Sequence, residues 1–133
     1  MKKLFLSFLF ILVSTLSFSI NIYPTEFKKD ITLGNYEVFS IANDSDEQKI
    51  YKINVTMDNQ NIANTVFPKV FTLNPKEVKE VKVLLKPRTS LKNGIYEGQF
   101  SIQILPTKVE PFNNLNFNIH MDISAYINKN PLI

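Results

Sequence analysis

Cysteine is absent from the 133-residue chain, and there are only three glycines and one histidine. Without cysteine there is no disulfide, no thiolate for a metal and no lipid-modifiable thiol, so an apolar core alone must hold the fold. The single histidine, His120, leaves no cluster of metal ligands, although Asp122 lies two residues on. No serine sits in a nucleophile elbow, and a Ser-His-Asp arrangement would have to be built on His120 alone. The reading is of a protein that is not an enzyme, with no catalytic residues, no cofactor and no metal. Helical periodicity is missing too: no window of eleven or more residues places apolar side chains at i, i+3, i+4 and i+7.

A large charge of one sign is also lacking. Met1 to Ser19 begins with Lys2 and Lys3, runs apolar from Leu4 to Val13 and closes on Ser17 and Ser19, the layout of a secretory signal peptide cleaved after Ser19. An apolar run of that length is too short to span a bilayer, which takes about 20 residues, so no stable membrane insertion is expected. Removing Lys2 and Lys3 takes 15 basic residues to 13 against 12 acidic ones, a net charge of +1. Nucleic acid is therefore not an expected partner. Residues 20–133 are read as one exported domain, and the basic signal without a wall-sorting tail points to a periplasm.

What the chain does have is short runs of alternating apolar residues between turns, the pattern of strands. Asn21 to Phe27 reads as a first edge strand in which Pro24 is tolerated. Phe39 and Ile41 share one face of the next run, which ends in the turn cluster at Asn43. Tyr51, Ile53 and Val55 alternate after it. Phe71 and Leu73 form a short strand bracketed by Pro68 and Pro75, and Val81, Val83 and Leu85 alternate with outward lysines. The turn at Asn93-Gly94, where Gly94 supplies a positive φ, opens a strand carrying Tyr96, Phe100, Ile102 and Ile104. Tyr96 is either a corner tyrosine, with its hydroxyl tied to a backbone group, or an ordinary core residue. About seven strands predict an all-β, immunoglobulin-like sandwich of antiparallel strands with Greek-key connections. A small barrel would need more glycine at its corners.

The last run is the most regular, with Leu115, Phe117, Ile119, Met121 and Ile123 on one face. These side chains either pack into the domain's own core or are offered to a partner. On a long twisted strand the earlier part could serve the partner while Met121 to Ile127 serve the core. If exposed, the row also favours pairing of two copies along the strand edge.

The order Phe39-x-Ile41-x-Asn43, Pro68-x-x-Phe71-x-Leu73-x-Pro75, Leu91-x-x-Gly94-x-Tyr96 and Phe100-x-Ile102-x-Ile104 resembles the N-terminal immunoglobulin-like domain of PapD-like periplasmic pilus chaperones. That resemblance implies a last strand that adds to an exported pilus or surface subunit, with Leu115, Phe117, Ile119 and Met121 as donor residues. It also implies an Arg on the first strand and a Lys on the last to hold the subunit's carboxylate; Glu26 and Ser124 stand at those positions, with Lys28 and Lys29 nearby. Family members continue into a second domain after the motif that residues 125–133 resemble. The alternative is a structural or adhesive envelope module, complete in itself, without chaperone activity.

Overall fold

The computed structural model describes residues 21–107 and 117–129. The signal-peptide expectation and Leu115 lie outside the described residues. The chain forms nine strands: β1 Ile22–Tyr23, β2 Phe27–Asp30, β3 Asn35–Ala42, β4 Lys49–Met57, β5 Ile62–Phe67, β6 Val70–Leu73, β7 Val78–Pro87, β8 Gly94–Pro106 and β9 Phe117–Ile127. They build two sheets, in the orders β1-β3-β7-β5 and β2-β9-β8-β4-β6. Among the described residues only β8 and β9 are successive strands that pair; every other successive pair is divided between the two sheets, so the chain crosses from sheet to sheet at each of those steps.

Alternation drives the layering. Tyr51, Ile53, Val55 and Met57 of β4 are buried while the residues between them are exposed, and Val81, Val83 and Leu85 repeat the pattern on β7. Phe39 and Phe100 bridge the sheets at the centre, their ring centroids 4.8 Å apart. Each is essentially inaccessible, and burying a side chain of this size contributes roughly 1.5–3 kcal/mol.

Two expectations need correction. Asn21 to Phe27 is not one strand: the chain leaves the first sheet after Tyr23, turns at Pro24 through a cis peptide, and enters the second sheet at Phe27. Proline has no N–H to continue a ladder, so the run breaks there. The second correction is β5, Ile62–Phe67, an additional strand. With the division of the first run it brings the strands to nine; its alternation is obscured because Asn64 interrupts the inward row between Ile62 and Val66.

The motif residues tie the layers together. Asn43 is 1% exposed, yet every polar atom of its amide is used. Its Nδ2 donates to Glu47 O at 2.8 Å and Leu73 O at 3.0 Å, and its Oδ1 accepts from Ser45 N and Ser45 Oγ. The side chain thus stitches the β3–β4 turn to the end of β6. Phe71 stacks on Tyr51 at 5.5 Å, and Leu73 is buried. Pro68 follows a cis peptide and Pro75 occupies the β6–β7 turn, so β6 is confined between them. Gly94 has φ of +154°, and Tyr96 donates its hydroxyl to Lys92 O at 2.7 Å from a half-buried ring.

Candidate functional site: the open edge of β9

β9 pairs along its whole length with β8, from Phe117 opposite Ile104 to Ile127 opposite Gly94. On its other side it meets β2, in parallel, only from Ile123 to Tyr126. The outer edge of β9 from Phe117 to Asp122 therefore has no neighbouring strand among the described residues. The cause lies in the crossing at Pro24: the residues that would have continued β2 alongside upper β9 form β1 in the opposite sheet.

Backbone parity identifies the groups left open. Ile31 N donates to Tyr126 O, so Tyr126 faces β2. Successive residues of a strand point their N–H and C=O to opposite sides. The same side as Tyr126 therefore receives the peptide groups of Asn118, His120 and Asp122, whose side chains stand on the outer face of the sheet. The side chains of Phe117, Ile119 and Met121 point to the inner face while their peptide groups serve the ladder with β8. The bond from Asp58 N to Glu97 O fixes the same parity from the other side of β8.

Burial changes steadily down the strand. Phe117 is 50% exposed, Ile119 and Met121 are half-buried against the core, and Ile123, Ala125 and Ile127 are buried. Exposure and burial thus divide the run between the two halves of one strand. Of the residues proposed as donors, the described structure brings Phe117, Ile119 and Met121 to the open edge.

At the top of the strand the sheets do not close on each other. A cleft of about 230 Å³ lies between them, lined by Ile22 and Ile41 of the first sheet and Tyr51, Ile104, Phe117 and Ile119 of the second. Asn43, Asp44, Ser45 and Lys49 form its polar end. Burial pushes the Tyr51 phenol up to about 12. Sequence reasoning did not find this cleft, because its walls come from strands far apart in the chain.

The cation positions are mixed. Glu26 is exposed and precedes β2, whereas Ser124 faces Lys28 across the β2–β9 ladder. Lys29 is held by Glu37 at 3.5 Å and donates to Tyr36 O. His120 and Asp122 are exposed, and no group of three His, Cys, Asp or Glu among the described residues could hold a metal.

No family model matches the sequence, and neither does any curated protein. Solved structures do match. The Escherichia coli chaperone DraB superposes with a TM-score of 0.66 at 15% identity, over 83% of this chain and 56% of that one. The fold is that of PapD-like chaperone N-terminal domains. A structure of the Salmonella enterica SafA pilin in complex with the SafB chaperone matches the PapD-like sandwich with a TM-score of 0.65 at 15% identity, over 84% of this chain and 56% of that one. SSP-19, an MSP-domain-like protein of Caenorhabditis elegans, matches with a TM-score of 0.61 at 15% identity, over 80% of this chain and 99% of that one. The chain spans little more than half the length of the chaperones it matches, and at these identities the likeness is one of fold. The matched proteins are chaperones or immunoglobulin-like binding domains.

Proposed function

We propose that this PapD-like domain is a periplasmic binding protein that adds its last strand, β9, to a strand of an exported pilus or surface subunit. The observation that carries the reading is that, among the described residues, β9 pairs with β2 at Ile123–Tyr126 only, so that the peptide groups of Asn118, His120 and Asp122 face no neighbouring strand there, beside apolar Phe117, Ile119 and Met121. Main-chain bonds along such an edge supply affinity, and alternate side chains supply register. The chaperone and chaperone–pilin structures among the matches support both the class of partner and an exported location. With Glu26 and Ser124 at the expected cation positions, affinity would rest on the strand itself, with Lys28 the nearest cation on β2.

A photoreactive residue at Phe117 tests this in cells. An adduct with one exported protein, lost in His120→Pro while the variant still folds, is the expected outcome; an adduct insensitive to that change would sink strand addition.

The match over 99% of SSP-19 favours a second reading, since the same sandwich there makes up almost an entire chain. In that reading the domain is a structural or adhesive module, and Phe117 gives no specific adduct.

A further inference from the structure

The cleft at the top of the sandwich opens beside the half of β9 that has no second neighbouring strand among the described residues, and the two features share Phe117 and Ile119. A strand added to that edge would lie about 4.8 Å from β9, with side chains alternating between the two faces of the extended sheet. Those opposite Phe117 and Ile119 would fall on the inner face. There they would stand over the mouth between β9 and β1, where Ile22 forms the facing wall. Further down, at Met121 and Ile123, the crossing from β1 to β2 fills the corresponding space, because Phe27 sits opposite Ile123 and is 1% exposed.

We infer that the cleft receives one large apolar side chain from the partner strand that pairs with β9. The inference rests on the strand-addition reading and adds a requirement on the partner: a bulky apolar residue at the position opposite Ile119 or Phe117. Size decides between a side chain and a free ligand. Small-molecule sites usually occupy about 300–1,000 Å³, above the volume here, whereas one side chain fits. Chemistry agrees, since the walls are mostly isoleucine and the polar groups lie at one end. Insertion would also cover the exposed face of Phe117. The domain would thus be a receiver as well as a donor, its own Ig-like core completed by the partner at the place where β1 leaves the strand unaccompanied.

Isoleucine methyl and amide NMR of the mature domain tests this with a defined probe. The probe is a ten-residue peptide of alternating threonine and valine, flanked by lysines, with phenylalanine at one central valine position; its control carries aspartate there. The expected result is a shift of the Asn118, His120 and Asp122 amides together with ring-current shifts at the methyls of Ile41 and Ile104. The aspartate peptide should bind at least tenfold more weakly. Amide shifts alone, with equal affinity for both peptides, would overturn insertion and leave strand addition standing. Methyl shifts without edge amide shifts would overturn it as well, since the side chain would then enter without a paired strand. No response up to millimolar peptide would count against both readings. Concentration-dependent changes at the same residues without peptide would mean that a second copy of the chain occupies the cleft, which also overturns it. Only the peptide is varied, so a folding defect cannot imitate any of these outcomes.

Discussion

Phe27 of β2 stands directly opposite Ile123 of β9, and this is the topmost rung of their ladder. Both side chains are 1% exposed, so the rung is also where the sandwich closes. Above it, β9 has one neighbouring strand instead of two among the described residues. The difference should appear on proline substitution. In His120→Pro the lost N–H faces the open edge, and an edge strand tolerates this. In Ile119→Pro the lost N–H belongs to the ladder with β8, at a cost of about 3 kcal/mol or more. Urea unfolding of the two variants should therefore differ sharply. Equal losses would mean that the edge is covered or that the parity is reversed.

Asn43, at the polar end of the cleft, offers a second test, one read as stability. Its amide, on a side chain that is 1% exposed, satisfies two backbone carbonyls and the Ser45 N–H and hydroxyl. Asn43→Ala leaves the Leu73 carbonyl without this donor and should cost about 1–3 kcal/mol by denaturant unfolding. Asn43→Asp should be worse at neutral pH, because a carboxylate cannot donate to Leu73 O or Glu47 O and would face both. Its deficit should shrink in acid, where the protonated form regains one donor. An alanine variant as stable as the parent would show that the turn holds without the stitch.

The parts of this fold that were legible in the sequence are those governed by local alternation. Tyr51, Ile53 and Val55, or Val81, Val83 and Leu85, declare a buried face with no tertiary information. The break at Pro24 was legible in principle: Ile22 and Phe27 are five residues apart, so on a continuous strand they would face opposite ways, yet both are buried. β5 escaped because Asn64 stands in its inward row. The cleft and the open edge could not be read locally. Both depend on which strand lies beside β9, and that is settled by pairing between residues about a hundred positions apart. The side chain of His120 gives no metal or catalytic signal in the sequence, whereas its peptide group is what bears on the proposed site.

At the other end of the sheet, Asp30 accepts hydrogen bonds from the Thr32 hydroxyl and backbone N–H, which hold its carboxyl below its usual value of 3.8. The Thr32 oxygen also accepts from Asn128 N, so this small cluster ties the end of β2 to the residue following β9. A lowered pKa means that the ionised form is the one favoured in the fold. Its contribution is present above the unfolded pKa and is lost as pH falls through the folded value. The Tm difference between the parent and Asp30→Asn should therefore be largest near neutral pH and should shrink below about pH 4. A difference that stays constant through that range would assign the effect to shape and not to charge.

The gradient along β9 makes the sharpest claim about function. Ile123 lies in the core and Phe117 is half exposed six residues earlier on the same face, so the two should separate stability from binding. Ile123→Ala removes buried volume from a closed part of the sandwich and should cost about 2–5 kcal/mol, whatever the protein binds. Phe117→Asp places a charge where water already reaches and should change stability by less than about 1 kcal/mol. It should nevertheless abolish capture of the partner strand, because the charge would stand at the mouth of an apolar cleft with nothing to pair it. If the domain were only a self-contained envelope module, Phe117→Asp would be silent in both measurements. If Phe117 belonged to the core, the variant would unfold with Ile123→Ala. A stable Phe117→Asp domain that no longer pairs with its partner is the outcome that distinguishes a strand donor from both.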